Sequence, residues 1–453
     1  MKRRTFLKKT ATMTLGAGVL GHFPVPLLAQ SKNVSEKLNI GLVGVGGMMG
    51  EYHLAETSNE NQIAFCDIDE RILDPVCSKR PSAKRYVDWR EMIDELGHKL
   101  DGIVITTPDH THAAIACAAM RKGIHCYCEK PLAHDVWQIR QMQKQAAEKN
   151  LVTQMGTQVH ASSNYRRAVE ILRSGAIGKV QDVQVWVAVV WGGKPAPRGT
   201  VEIPAGLHWD LWLGPAAKRP YQPCYLSGSA ESYDALRNDI DVPEACWLSG
   251  NWRSFWDFGS GGMGDMACHL IDLAFWGLEL DYPRTIETIS PFQPDSDFAG
   301  IDLTSRFLFE TKDGPLSLTW YDGKMRPPML KKYGLENKNY GILFIGETGA
   351  LYVNYAEHFL LPKEKFINFE APQEKIPESP GHHSEWLSAI RKGGKTSCNF
   401  DYSGKLSETV LLALASYRCG QKFEYDSTTA SVSNCPEADQ YLRQACRKGW
   451  DLE

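Results

Sequence analysis

The chain has 453 residues, a size that suggests two or three domains, with 43% hydrophobic and 23% charged residues and a net charge of −4. That balance is ordinary for a globular protein and excludes charge-driven binding to nucleic acid or to an anionic membrane. No apolar run reaches the roughly 20 residues needed to span a bilayer.

Residues 1–30 carry five basic residues (Lys2, Arg3, Arg4, Lys8 and Lys9) and no acid; without them 45 basic residues face 54 acidic ones. Lys2-Arg3-Arg4-Thr5-Phe6-Leu7-Lys8 resembles the twin-arginine export signal, with Lys2 replacing the usual Ser or Thr, and a weakly apolar stretch follows from Ala11 to Leu28. Residues 1–30 are therefore expected to be a targeting segment for the twin-arginine export machinery, with a periplasmic destination. The twelve cysteines include no C-x-x-C and predict neither a zinc site nor a disulfide framework. Reduced thiols suit a protein that folds before export.

Residues 31–157 alternate strands and helices. Leu38 to Val43 is an apolar run that meets Gly44-Val45-Gly46-Gly47-Met48-Met49-Gly50 and then a helical pattern. A strand turning through glycines into a helix N-terminus lets backbone N–H groups approach a pyrophosphate. In a G-x-G-x-x-G reading from Gly44 the third position is Met49, with Gly50 one place late, so Gly50 is the weaker contact. Asp67 follows the apolar run Ile63 to Cys66, at a spacing that suits hydrogen bonds to a ribose 2′-OH; Asp69 is a second acid nearby. A helix is expected over Trp89 to Leu96, a buried parallel strand over Gly102 to Thr106, and a turn at Thr107-Pro108-Asp109-His110-Thr111-His112. A helix from Ala113 to Lys122, a strand from Ile124 to Cys128, a helix capped by Asp135 and a strand from Leu151 to Met155 complete the pattern. This predicts a doubly wound parallel sheet with its ligand edge at Gly44–Gly46, Asp67, Thr107–Asp109 and Glu129-Lys130.

Residues 158–453 read as an α+β domain. After a helix from Tyr165 to Arg173 comes an alternating strand from Val180 to Trp191, with further strands at Thr304–Phe309, Leu316–Tyr321, Ile342–Ile345 and Leu351–Tyr355. An open, mainly antiparallel sheet is expected, with helices at Asp265–Leu278, His383–Arg391 and Tyr402–Cys419. Residues 192–258 form a Trp-rich insertion without clear periodicity. Its Trp209, Trp212, Trp247, Trp252, Arg253 and Trp256 suit either a sugar-binding wall or a loop packed on its own aromatics. Trp252 and Arg253 are the candidate substrate contacts.

Gly261-Gly262-Met263-Gly264 precedes Asp265, which is expected in the first turn of a helix, with His269 four residues on and on the same face. His269 is expected to titrate near neutrality. Lys130 follows a sheet strand at the ligand edge. Alcohol oxidation needs a hydride acceptor, a base and a cation near the developing alkoxide. A nicotinamide nucleotide, His269 and Lys130 match those needs, with Asp265 orienting substrate or imidazole.

Thr107-Pro108-Asp109-His110-Thr111-His112, Cys128-Glu129-Lys130-Pro131 and Asp265-x-x-x-His269 together resemble the glucose–fructose oxidoreductase/inositol dehydrogenase/MocA family, with Asp109 where the family pattern has Asn. Trp252-Arg253 and the run Phe258 to His269 are similar to a branch with exported members. The resemblance implies a Rossmann domain, an open-faced C-terminal sheet that often mediates homo-oligomers, and Lys130, Asp265 and His269 as the catalytic set. It also implies an acid, Glu129, near the nicotinamide ribose. The candidate cofactor contacts are Gly44, Gly46, Gly47, Met48, Met49, Asp67, Thr107, Pro108, His112, Glu129 and Lys130, and no metal is expected. The implied cofactor is NAD, with NADP disfavoured by Asp67, and it is expected to be tightly bound. The implied activity is oxidation of a secondary alcohol of a sugar, glycoside or cyclitol. Two rivals stay open: a glycoside hydrolase or lyase that oxidises transiently and recycles its cofactor in place, and a non-catalytic sensor or scaffold.

Overall fold

A computed structural model describes residues 36–196, 199–226 and 250–452. Arg3, Arg4 and Trp247 lie outside the described residues.

The first half folds as β1 (Asn39–Val43), α1 (Gly47–Glu56), β2 (Asn61–Cys66), α2 (Glu70–Ser78), β3 (Lys84–Tyr86), α3 (Trp89–Leu96), β4 (Gly102–Ile105), α4 (His112–Arg121), β5 (His125–Cys128), α5 (Val136–Glu148) and β6 (Thr153–Met155). The strands make a six-stranded sheet in the order β3-β2-β1-β4-β5-β6, parallel throughout. Its central strands β1 and β4 read as near-continuous apolar runs because helices cover both faces. The order reverses between β1 and β4, which opens a crevice at their carboxyl ends. Helix starts follow local chemistry: Asp69, Asp88 and Asp135 each accept a hydrogen bond from a backbone N–H in the first turn of α2, α3 and α5.

The second half contributes α6 (Ser163–Arg173), β7 (Val180–Trp186), α7 (Trp209–Leu213), α8 (Gly261–Leu270), α9 (Asp272–Leu278), β8 (Thr285–Ile289), β9 (Thr304–Thr311) and β10 (Gly314–Tyr321). Then come β11 (Gly341–Gly346), β12 (Ala350–Val353), β13 (His358–Leu361), α10 (His382–Lys392), α11 (Phe400–Cys419), β14 (Phe423–Asp426) and β15 (Ser431–Val432). The strands form a nine-stranded sheet in the order β13-β12-β11-β7-β10-β9-β8-β14-β15. It is antiparallel except at its middle, where β7 and β10 run parallel. A parallel pair needs a crossover, and the chain between them supplies one that includes α8 and α9.

Three sequence expectations are corrected. The strand expected from Val180 to Trp191 ends at Trp186, and the following residues leave the sheet to pass the start of α8. The single helix expected over Asp265–Leu278 is two helices, α8 and α9, joined at Ile271. Asp265 is therefore the fifth residue of α8 and not in its first turn. The reason is close packing: a Cβ on Gly262 would lie 3.1 Å from the Val189 carbonyl oxygen, and one on Gly264 would lie 2.2 Å from the Ser260 Cβ. The glycines expected to be a turn are the helix's first turn, kept small to press against the chain leaving β7.

Candidate active site

The glycine turn behaves as its spacing demands. Gly44 has φ +80°, and a Cβ there would sit 2.5 Å from the Thr106 carbonyl oxygen, so a side chain would push β1 off β4. Gly50 is a correction: it is buried, and a Cβ would meet the Val45 carbonyl carbon at 2.4 Å. It takes the helix-to-strand packing role of a third glycine from one position later and holds α1 down, rather than touching a ligand. The N-terminus of α1 has no side-chain cap and no acid in its first turn. Free N–H groups at a glycine turn fit a pyrophosphate.

Asp67 closes this turn. Its carboxylate accepts from Val45 N at 3.0 Å and from Asp69 N at 3.0 Å. Burial pushes its pKa up to about 6 even though those N–H groups favour the charged form. Asp69, the alternative ribose acceptor, is spent elsewhere: it caps α2 and pairs with Arg71 at 2.8 Å. Replacing Asp67 by Ser removes the charge that repels a 2′-phosphate and weakens two loop bonds. The expected result is looser binding of both nucleotides and a smaller preference for NAD over NADP, a relative change of roughly 1–3 kcal/mol. Titration of both nucleotides with wild type and Asp67→Ser decides it; a wild-type preference for NADP would overturn the role.

From this turn a cleft of about 550 Å³ runs to the C-terminal domain. Gly44, Gly46, Gly47, Met48, Met49, Asp67, Thr107, Pro108, Glu129, Lys130, Trp252, Arg253, Asp265 and His269 all line it. His112 does not. It is buried behind the loop, its ring nitrogens 2.8 Å from the Thr107 carbonyl and 2.9 Å from the Pro131 carbonyl. It ties the two ligand-edge loops together instead of reaching a cofactor.

Lys130 follows β5 and is followed by a cis peptide to Pro131. Its ammonium donates to the Asp265 carboxylate at 2.9 Å and to the Asp265 carbonyl at 2.5 Å. Arg253 Nε lies 3.0 Å from the same carboxylate oxygen, and the Trp191 indole donates to the other at 2.8 Å. Burial alone would raise the Asp265 carboxyl, but Lys130 and Arg253 hold it well below the usual range. Asp265 thus orients Lys130, whereas the sequence points to substrate or imidazole. His269 sits one turn on, its backbone carbonyl held by Tyr165 and its ring edge-on to Tyr355 at 6.5 Å. Burial first, and Lys130 second, lower its pKa to about 4, which corrects the expectation of titration near neutrality. A neutral imidazole in a cleft beside an ammonium can take a proton from a hydroxyl while the cation stabilises the oxygen.

Opposite stands Glu129. Gln158 donates to it at 2.7 Å. Gly156 makes room for it, since a Cβ there would lie 2.2 Å from its carboxylate. Burial would raise this carboxyl, but His53 at 3.0 Å and then Lys130 and His269 hold it low. Asp109, the residue departing from the family pattern, also lines the cleft, and burial raises its pKa.

The aromatic insertion divides. Trp209 and Trp212 stack at 4.7 Å in a cluster with Tyr221, Tyr225, Phe255 and Phe258, so most of its rings pack on one another. Trp256 is likewise buried. Trp252 and Arg253 are the pair that faces the cleft together, the guanidinium 4.2 Å from the ring centroid. Trp191, Tyr355 and Gln158 were missed by sequence reasoning. Trp191 looked like the end of a strand, and the other two carry no local motif.

Among the described residues, His160, Asp272 and Cys398 are the buried group with donor atoms close enough for a metal, all within 4.8 Å. Asp272 is already engaged by His160 Nδ1 at 2.9 Å and the Tyr402 hydroxyl at 2.7 Å. That set closes on itself as a link between α9 and α11.

Comparison with known proteins agrees with the fold. Residues 38–157 match the oxidoreductase family's NAD-binding Rossmann fold, and residues 244–452 match the same family's C-terminal alpha/beta domain. The levoglucosan dehydrogenase of Pseudarthrobacter phenanthrenivorans is 28% identical over 172 residues, covering 35% of this chain and 43% of that protein. A glycosyl hydrolase family 109 protein of Stenotrophomonas maltophilia is 26% identical over 206 residues, 41% of each chain. The matched regions thus span about half or less of these curated relatives. In fold, the WlbA dehydrogenase of Bordetella pertussis, solved with NADH and UDP-GlcNAcA, superposes with a TM-score of 0.56 at 17% identity, over 85% of this chain and 98% of that one. With both domain profiles matched in order and the three signature motifs gathered on one cleft, the chain belongs to the glucose–fructose oxidoreductase/inositol dehydrogenase/MocA family of oxidoreductases.

Proposed function

We propose that this protein oxidises a secondary alcohol of a sugar, glycoside or cyclitol with NAD, and that it works outside the cytosol with its nucleotide retained. One observation carries the reading: Lys130, Asp265 and His269 meet on the same cleft as the glycine turn and Asp67. Bound there, the nicotinamide supplies the hydride acceptor. His269 receives the hydroxyl proton, Lys130 faces the developing alkoxide, and Asp265 keeps the ammonium in place. Trp252 and Arg253 offer an apolar face beside a fork of donors, a surface suited to a sugar ring. The relatives named for levoglucosan and inositol oxidation support this substrate class. The open C-terminal sheet is a natural face for homo-oligomer formation.

Retention rests on a strap from the insertion. The Gly206 carbonyl accepts from Glu70 N at 2.8 Å, His208 N donates to the Ile68 carbonyl at 2.9 Å, and His208 Nε2 lies 2.7 Å from Glu70. Leu207 and Leu211 face the cleft alongside Asp67 and Ile72. This strap bridges the end of β2, where the adenosine half would lie. Stopped-flow release of NADH from purified protein is expected to be slow and to quicken about tenfold in Leu207→Ala/Leu211→Ala. Equal release rates would remove the strap from the argument.

A retained nucleotide favours a second reading, the closed cycle. There a transient ketone acidifies the neighbouring C–H, the glycosidic oxygen leaves as an alcohol by elimination, water adds to the resulting enone in a hydrolase (but not in a lyase), and the hydride returns to the ketone. The relative named as a glycosyl hydrolase keeps this reading in play. The deciding experiment is to dialyse the protein, supply no NAD, and offer glycosides and cyclitols while following product and nucleotide absorbance. Sustained turnover at constant absorbance marks a closed cycle. Turnover stoichiometric with added NAD marks an ordinary dehydrogenase and counts against both retention and export.

Export itself is expected to depend on Arg3 and Arg4. Lys at both positions should strand the folded protein in the cytosol; undiminished periplasmic recovery would sink the assignment.

A further inference from the structure

Oxidising an alcohol releases one proton besides the hydride, and the reverse step consumes one. Each cycle therefore needs a route between the cleft and water. His269 holds a proton weakly, because its pKa is lowered to about 4 by burial and by Lys130. The cleft wall carries a second titratable group, Glu129, and behind it lies a row of buried rings.

His53 Nε2 is 3.0 Å from Glu129 Oε1. His53 Nδ1 is 2.7 Å from His383 Nε2. His383 Nδ1 is 3.8 Å from Glu56 Oε2, the partly exposed end of the row. Both imidazoles are 0% exposed, whereas the Glu56 side chain is 37% exposed. Three elements distant in sequence bring these groups together: α1 carries His53 and Glu56, α10 carries His383, and β5 leads into Glu129. Tyr127 stacks on His383 at 4.5 Å, and Tyr52 meets it edge-on at 5.3 Å. Burial pushes the hydroxyl of Tyr52 up to about 12 and that of Tyr127 well above its ordinary value, so both stay protonated. His382, Lys130 and His269 are the other charged or titratable neighbours.

Burying two imidazoles is costly when apolar rings would pack as well. Their order here is directional. A carboxylate only accepts, so the hydrogen of neutral His53 sits on Nε2, facing Glu129. Its Nδ1 must then accept, so the hydrogen of His383 sits on Nε2. That leaves His383 Nδ1 as an acceptor toward Glu56; neither it nor His53 Nε2, 3.0 Å from Glu129, is held by a well-aligned hydrogen bond within the protein, so both ends of the row are open to a proton. A proton arriving on His383 Nδ1 releases the Nε2 hydrogen to His53 Nδ1. His53 in turn releases its Nε2 hydrogen to Glu129. One proton enters, one leaves, and both rings finish neutral; the reverse order carries a proton outward.

We infer that His53, His383 and Glu56 form a proton path between Glu129 on the cleft wall and solvent. The path deepens the oxidoreductase reading of the same cleft, but its test needs no substrate, so a wrong substrate class leaves the result intact. Full-length protein carrying NAD and ¹⁵N-labelled histidine reports the ring protons of His53 and His383 and their exchange with solvent. Both rings are expected to carry hydrogen on Nε2, with a downfield resonance for the proton between them. Glu56→Ala, a partly exposed change that spares the core, is expected to slow exchange of both ring protons by roughly 10²-fold, and formate in the buffer should restore it. His383→Asn should slow the His53 proton further while NAD affinity holds. Should His383→Asn fail to fold, Glu56→Ala still decides the matter. Exchange indifferent to Glu56 and to formate, or hydrogen on His53 Nδ1, overturns the path. A merely structural histidine pair would show no rescue by formate.

Discussion

Lys130→Met and His269→Ala are each expected to slow turnover by roughly 10²–10⁴-fold while the protein still carries its nucleotide, the usual worth of a positioned acid or base. The two groups share the cleft but hold different parts of the reaction. In the proposed reaction His269 takes the hydroxyl proton, and its low pKa keeps the ring neutral and ready at pH 7. Lys130 supplies the cation, fixed by two bonds to Asp265. Removing the ammonium does not orphan Asp265, which keeps Arg253 at 3.0 Å and Trp191 at 2.8 Å. Lys130→Met should therefore fold, retain most of the stem's packing and fail in chemistry. His269 is not among the candidate cofactor contacts, and Lys130 is one outside the glycine turn and the strap, so bound NAD measured after gel filtration should stay close to wild type. A loss below tenfold in either variant, or nucleotide loss that accounts for the whole effect, would remove that residue from the catalytic set.

Acidification is expected to destabilise the protein steeply below pH 6.5. His110, His125, His269 and His382 have pKa values lowered to about 4, and His134 to about 3, with burial the leading cause in each. Unfolded histidine titrates near 6.5. Below that pH the unfolded chain binds protons that the native state refuses. Stability is therefore complete above about pH 6.5 and lost as pH falls through the window down to about 4. Six carboxyls oppose this, among them Asp109, Asp182 and Glu408, which burial raises. Burial raises Asp67 to about 6 and Asp135 and Asp322 to about 7, so the native state holds their protons where the unfolded chain does not. His383, lowered to about 2, makes six histidines; they carry the larger displacements, so a net loss is expected near pH 5, each unpaired proton contributing about 1.4 kcal/mol per pH unit. Below pH 4 the depressed carboxyls Asp265 and Glu129 continue the decline. Urea midpoints measured from pH 7.5 to 4.5 report it directly. A midpoint that holds or rises on going from pH 7 to pH 5 would show that these histidines are not buried neutral.

The parts of the site legible in the sequence are those whose chemistry is local. Gly44 and Gly46 follow an apolar strand, Asp67 ends the next one, Glu129-Lys130 ends another, and Asp265 and His269 are one helical turn apart. Each depends on residues within one strand–turn–helix unit, where steric and hydrogen-bonding rules act over a few positions. Even there, local spacing misjudged the partners. It placed Asp265 beside His269, whereas the carboxylate turns to a lysine 135 positions away. It put His112 on the cofactor, whereas the ring ties two loops together. It had Gly50 as the weaker contact, and that glycine is off the cleft, packing α1 against Val45.

By itself the sequence determined the alternating first half, the parallel sheet with its ligand edge, the oxidoreductase signature and the residues that carry charge at that edge. Periodicity and turn chemistry are written in neighbouring residues, so they can be read without a fold. Tertiary structure alone decided how those charges are held. Trp191 reaches Asp265 across 74 positions, and His53 meets His383 across 330. The β7–β10 parallel pair, the strap at Leu207 and the self-packed tryptophans are of the same kind. Burial and pairing set whether a carboxylate is charged or an imidazole neutral, and both depend on elements that approach only once the chain has folded.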